Sequence, residues 1–493
     1  MNTRLNSVYR IGIRFFTSLI FFGALLAALW AAFCIQEKWR ALRDWRAYLA
    51  RKEAIPLSVE EALPPKPKDE DNFAAIPMVR ALFENSDAVW FAPLKLSGGK
   101  GRPAWPHVPN STQKKPFALQ PWASYFHDSG AIPPPSHHPA RDVLAALETV
   151  RPELDALHAA LQRPHTRFPV DWREDFRTPM PHLSAMMTAI SVCNLNATAH
   201  LENGNSHAAA ECLLDSVGLA NQMGREPTLI ASLVRNSGLT GAAGALHHGL
   251  TNGQWTPSEL MTLHTLFSTG LESETARAWA TALKGERALF NQVSLRLLNT
   301  SGNQAVQDLM GPFLPGKPSP FWVLYPTGWF IQSQIRVNQR LDSLTRSAES
   351  VFSGSPPSEW IQSSNSAPEK GFRRLKWLMS EMAAPGYNSC LVSFIRSLCL
   401  TRQAALATAL EQTFQRDGQF PESLDSLLLE KVGSAALDPV DRQRMRYKRT
   451  SAAAYKLWSV GDNGVDDQGA TTPETDTKKQ LDWVWELTRK PQP

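Results

Sequence analysis

Histidine, cysteine and glycine clusters are the features of this 493-residue chain whose types and spacing could carry chemistry. His137-His138 and His247-His248 are adjacent pairs, and imidazoles are common transition-metal ligands. Neighbours on a helix, however, point about 100° apart, and no carboxylate spacing completes a ligand set. They read as surface or capping histidines. Of the five cysteines, Cys34 lies in an apolar segment, and Cys193, Cys212, Cys390 and Cys399 form no ligand pattern. Cys390 and Cys399 share one expected helix about 13 Å apart. Cys193 and Cys212 fall on adjacent expected helices and are close enough in order to meet, but buried, inert thiols are the simpler reading. Gly98-Gly99-Lys100-Gly101 lacks the Gly-Lys-Ser/Thr ending of a phosphate loop and reads as a solvated turn. With no HExxH, Gly-x-Ser-x-Gly, Walker loop or paired CxxC, the sequence nominates no catalytic or cofactor-binding residue.

The elements that would position any site begin with Phe15 to Ile35, 21 residues without a charge and long enough to cross about 30 Å of hydrocarbon as helix. The run exceeds the core of a signal peptide, and Gln36-Glu37-Lys38-Trp39 is no small-residue cleavage site, so the expectation is an uncleaved single-pass anchor. Trp39, Leu42, Trp45 and Leu49 then share one helix face, which suits Trp residues at a membrane interface. The formal charge of +5 is concentrated here. Residues 1–52 hold nine Lys or Arg against two acids, leaving 42 basic and 44 acidic side chains for the body, which gives no argument for nucleic acid. Three arginines precede the span and six basic residues follow it closely, a count that on its own keeps the body in the cytoplasm.

Pro56, Pro64, Pro65 and Pro67 mark a linker, so residues 36–72 read as a juxtamembrane helix and Pro-rich linker. Residues 73–352 read as a mainly helical domain, a helical bundle or irregular set of helical hairpins. It carries an irregular loop at 92–139 that Trp105, Trp122, Tyr125 and Phe126 pin to the body. Apolar residues at 3, 4 and 7 spacing from Leu183 to Leu201, and again from Ala209 to Met223, flank Asn203-Gly204-Asn205 and predict an antiparallel helical hairpin. Ala199, Gly204 and Ala209 fit the small positions of a tetratricopeptide hairpin, with no 34-residue recurrence. Gly238, Gly241, Ala242 and Ala245 predict close helix packing, and Thr256-Pro257-Ser258-Glu259 a capped helix start. The run 312–331 is apolar but holds five prolines, of which Pro315, Pro318, Pro320 and Pro326 bar a second regular span. A helix from about Trp329 to Phe352 and a linker and connecting segment at 353–385 follow.

From 386 to 493 the pattern becomes a small α+β module. A long helix stops at Asp417-Gly418, Phe420-Pro421-Glu422-Ser423-Leu424 opens a short helix, and strands are predicted at Met445–Arg449, Ala454–Val460 and near Asp482–Leu487. Between the last two lies Gly461-Asp462-Asn463-Gly464-Val465-Asp466-Asp467-Gln468-Gly469, residues that form tight turns unaided. The helix ending Asp417-Gly418-Gln419-Phe420-Pro421, Leu437-Asp438-Pro439, Tyr447, and Ser459-Val460-Gly461 entering the acidic loop resemble the globular head of the major pseudopilin of type II secretion over about 390–487. That resemblance implies calcium in the acidic loop, with Asp462, Asp466 and Asp467 as side-chain ligands. It also implies export, hence a bacterial inner-membrane protein with residues 1–14 cytoplasmic and the body periplasmic. The prepilin cleavage motif is missing and the apolar helix lies far upstream, so polymerisation is not expected. The functional expectation is a non-enzymatic envelope scaffold with protein partners. The alternatives are an exported enzyme with a site in the helical domain and a cytoplasm-facing adaptor.

Overall fold

A computed structural model of the chain describes residues 2–50, 55–85, 88–96, 101–109, 117–133, 136–299, 325–353, 371, 376–427, 433–471 and 481–491. The protein is 68% helix with one three-stranded antiparallel sheet near the C-terminus. The first helix, α1 (Asn2–Leu49), is 48 residues long and unbroken. From Phe15 to Ile35 its apolar side chains are almost all exposed, Phe21 to 75%.

Beyond Ile35 the same helix joins the body, and the contact stripe differs from the sequence expectation. Glu37, Ala41 and Trp45, spaced by four, turn inward, whereas Trp39 stays 71% exposed. Trp45 therefore packs protein, with Ala41 and Ile331, rather than an interface. Burying Glu37 requires partners. Its carboxylate accepts from Trp329 Nε1 at 3.1 Å and pairs with Arg40 and with Lys376 at 3.6 Å. At Gly328 the helix Thr327–Ser353 comes so close that a Cβ would sit 2.5 Å from the Glu37 carbonyl carbon. Gly328→Val is expected to destabilise this junction by about 1–3 kcal/mol, the usual range for overpacking. Chemical unfolding, with protease cutting beside residue 50, would measure it; a wild-type midpoint and cutting rate would contradict the contact.

After the short α2 (Val59–Ala62) come α3 (Pro77–Glu84), α4 (Gln120–Asp128), α5 (Pro139–Glu148) and α6 (Arg151–Ala160). Helix α4 lies inside the stretch expected to be an irregular loop, and Pro121 in its first turn is compatible with helix because that amide needs no partner. Trp122 and Phe126 are buried in the body's apolar core, with Trp105 and Tyr125 packed against it, and further contacts hold the segment to itself. Trp105 and Trp122 rings lie 4.4 Å apart, Trp122 Nε1 donates to Ala104 O, and Tyr125 donates to Lys95 O at 2.7 Å. Gly98, Gly99 and Lys100 lie outside the described residues.

The body is centred on α7 (Pro181–Glu202), α8 (Ser206–Met223) and α9 (Leu229–Thr251), which pack on one another. The hairpin between the first two turns at Gly204, whose φ of +80° favours glycine, and Asn205 accepts from Ala208 N to start α8. The small-residue stripe of α9 has identified neighbours: Gly238 meets Ile190, and Gly244 meets the backbone of His107. Next, α10 (Pro257–Thr265) opens with the expected capping box and continues through a π-turn at Leu266–Gly270 into α11 (Leu271–Asn299). Helix α12 (Thr327–Ser353) bears Gly328, and 312–324 lies outside the described residues.

The 40-residue α13 (Leu378–Asp417) is apolar enough to cross a membrane, yet 72% of its most apolar window is buried among the other helices. It ends at Gly418, φ +73°. Strands β1 (Arg446–Ser451), β2 (Ala454–Ser459) and β3 (Trp483–Thr488) follow in the order β1-β2-β3. The expected helix at Leu424 is a single 3-10 turn, Leu424–Ser426. One apolar core is continuous from Phe73 to Leu487, so the sheet is sewn to the helices. Gln403 donates to Trp483 O, His247 to Glu486 O, and Lys490 N to Thr251 O, each at 2.8 Å.

Candidate functional site

Three groupings of polar side chains bear on function. The first is the acidic loop after β2. Asp466 accepts from Trp458 Nε1 at 2.9 Å and from Gln468 N, and faces Arg446 at 3.5 Å; the indole bond first, with the guanidinium, holds its carboxyl below the ordinary range. Asp467 accepts from Asn463 Nδ2 at 2.7 Å. Burial pushes the Asp462 carboxyl up, against the pull of Arg396. The loop is closed from outside by a residue the sequence reading did not single out: Asp482, just before β3, accepts from Asp467 N and Gly469 N. Among the described residues no three His, Cys, Asp or Glu side chains converge in a geometry that would hold a metal ion. Asp462, Asp466 and Asp467 thus share a loop without sharing a focus.

Beneath the loop lies Asp438, fully buried. One carboxylate oxygen accepts from Ser459 Oγ at 2.7 Å and Val440 N at 2.9 Å; the other accepts from Val460 N at 3.0 Å and Arg446 Nη1 at 2.9 Å. The two motifs singled out separately, Leu437-Asp438-Pro439 and Ser459-Val460-Gly461, meet on this side chain. Gly461 follows with φ +62°, and a Cβ there would strike Leu481 O.

The histidine pairs divide as neighbours on a helix must. Burial first, then the charge environment, pushes His247 down to about 4 while it holds the Glu486 carbonyl; His248 faces Glu202 at 3.1 Å. His137 and His138 are exposed. All five cysteines are free thiols, and burial raises those of Cys193, Cys212, Cys390 and Cys399 away from reactive thiolate.

The second grouping escaped the sequence reading. His182, at the first turn of α7, is fully buried between the rings of Phe168 and Phe83, with centroids 4.3 and 5.4 Å away. Its Nε2 lies 4.0 Å from a carboxylate oxygen of Glu226, itself 5% exposed. Desolvation acts on both in the neutral direction, carrying His182 down to about 3 and Glu226 up to about 8.

Alongside runs the third grouping, a cleft of about 530 Å3. Pro64, Pro65 and Pro67 form one wall, Pro164 to Arg167 a second, and Arg277 and Thr281, one turn apart on α11, a third. Lys66, Arg167, Arg225 and Arg277 bring four positive charges to it, and among the described residues no acid lines it. They come from four separated segments whose charges cancel in the near-neutral body, which hid the cluster from composition. A second cleft of about 230 Å3 lies between α9 and α13, with Asn236, Ser393, Arg396 and Gln403 on its walls and Val108 and Pro109 of the aromatic-pinned segment at its edge.

The chain matches no protein-family model, no curated protein and no solved structure.

Proposed function

We propose that the protein is a single-pass envelope protein of the bacterial inner membrane, with a periplasmic body acting as a non-enzymatic scaffold for other proteins. The observation that carries this reading is α1: an exposed apolar stretch, Phe15 to Ile35, runs without a break into a face, Glu37, Ala41 and Trp45, that is locked to the body. A water-soluble protein gains nothing by exposing that much contiguous apolar surface, and a bilayer removes it from water. Helix packing from α7 to α13 and the sheet sewn to it supply a rigid body; the near-neutral charge balance suits protein partners better than nucleic acid. The C-terminal module belongs to that body as a folding unit, not as a polymerising head.

Alkaline phosphatase fused after Pro493 tests the topology. Activity is expected for the full chain and is expected to disappear when residues 1–35 are deleted. An intact but inactive full-length fusion would put the body in the cytoplasm, as the six basic residues after the span would have it, and would replace the envelope reading with that of a cytoplasmic adaptor.

A further inference from the structure

We propose that the cleft walled by Lys66, Arg167, Arg225 and Arg277 binds a compact anion of the phosphate class, either a soluble phosphate ester or the phosphate of a lipid headgroup. The cleft's volume of about 530 Å3 suits a small molecule. Its charge is the stronger argument. Like charges gathered around one concavity repel, and folded proteins ordinarily interleave acids among them. Here the acids lie to the side: Glu60 pairs with Arg167 and Glu274 with Arg277, both from outside the lining.

Arg225 has no such partner among the described residues. It is half-buried just past the end of α8, and among the described residues its three side-chain hydrogen bonds all leave from Nη1 and end on neutral oxygens, Pro164 O at 3.0 Å, Thr166 Oγ1 at 3.4 Å and Gln222 Oε1 at 3.1 Å. Burial, and then the neighbouring Arg277 charge, pull its guanidinium below the ordinary range, as expected of a cation lacking a counter-ion. Those bonds fix the plane of the guanidinium and leave its other edge unused. A fixed planar fork suits the oxygens of a phosphate group, and Lys66 and Arg277 add point charge from the opposite walls. Thr281 places a hydroxyl on the same face as Arg277, a further donor for a phosphate oxygen. With Arg167 and Arg277 already paired to Glu60 and Glu274, Lys66 and Arg225 remain without an acid partner among the described residues, and two such cations favour a ligand carrying two negative charges.

The test uses the full chain in nanodiscs of phosphatidylcholine, titrated calorimetrically with inorganic pyrophosphate at fixed ionic strength. Saturable binding is expected, weakened about tenfold or more in Arg225→Ala, since charge-assisted bonds to the anion are lost. Because Arg225 also ties 164–166 to Gln222, the double variant Lys66→Ala/Arg277→Ala repeats the test with exposed side chains and should weaken binding to a similar degree while leaving the unfolding midpoint unchanged. Discs doped with phosphatidic acid separate the sources: lost pyrophosphate binding identifies a lipid phosphate as the occupant, and unchanged binding identifies a soluble one. No binding in phosphatidylcholine discs, or binding indifferent to the double variant, overturns the proposal.

Discussion

Asp438→Ala is expected to destabilise the C-terminal sheet by about 3–5 kcal/mol, the range for removing one partner of a buried ion pair. The substitution leaves Arg446, still held by Asp441, without its buried counter-charge, and orphans Ser459 Oγ and the amides of Val440 and Val460. Each orphaned donor adds its own desolvation penalty of roughly 1–3 kcal/mol, so the effects overlap rather than sum. Asp438→Asn keeps one carbonyl acceptor and should fall between the two. The sheet carries Trp458, Trp483 and Trp485, so its loss is readable by tryptophan fluorescence during urea unfolding, with hydrogen exchange over 446–488 to localise it. A change below about 1 kcal/mol in Asp438→Ala would mean that the loop and strands hold without this hub.

The contribution of His182 and Glu226 to stability is expected to be flat between about pH 4.5 and 6.5 and to fall on both sides. In the unfolded chain they titrate near 6.5 and 4.5, and in the folded one near 3 and 8. Between pH 4.5 and 6.5 each state binds one proton across the pair, so their contributions to the slope cancel. Above 6.5 the folded chain still holds the Glu226 proton while the unfolded chain holds neither; stability then falls as pH rises through 8, by up to about 1.4 kcal/mol per pH unit. Below 4.5 the unfolded chain holds both protons and the folded chain one, so stability falls as pH drops toward 3. Glu226→Gln keeps the shape and removes the charge. It should raise stability at pH 8 by roughly 2–4 kcal/mol and remove the pair's alkaline limb, and with His182 no longer offset, the acid limb should begin near pH 6.5 instead of 4.5. An unfolding midpoint at pH 8 that Glu226→Gln does not move would show that the carboxyl is paired or hydrated.

Local signals in the sequence carried the architecture. The capping box at Thr256, the turn at Asn203-Gly204-Asn205 and the stop at Gly418 each depend on residues within one helical turn, and each stands where the pattern placed it. Strand positions were legible to within a residue or two, because alternation identifies a strand while pairing decides its ends: β1 starts at Arg446, not Met445, and runs on to Ser451. Tertiary relations were not legible. Trp45 looked like an interfacial tryptophan and is a core contact, since what the far side of a helix meets is decided by α12, almost 300 residues later. Asp482 closes the acidic loop from 15 residues beyond Asp467. Opposing signs elsewhere on the chain concealed the four cations of the cleft, and a sum over residues discards the coordinates that matter.

The unbroken α1 has one further consequence. A helix whose apolar stretch is longer or shorter than the local bilayer adjusts by tilting. With no hinge between Ile35 and Glu37, and with Glu37, Ala41 and Trp45 clamped against α12, that tilt has nowhere to be absorbed. If the stretch from Phe15 to Ile35 spans a bilayer, as proposed above, the body rides as a lever arm, and membrane thickness becomes an angle that decides which flank faces the lipid surface and which faces away.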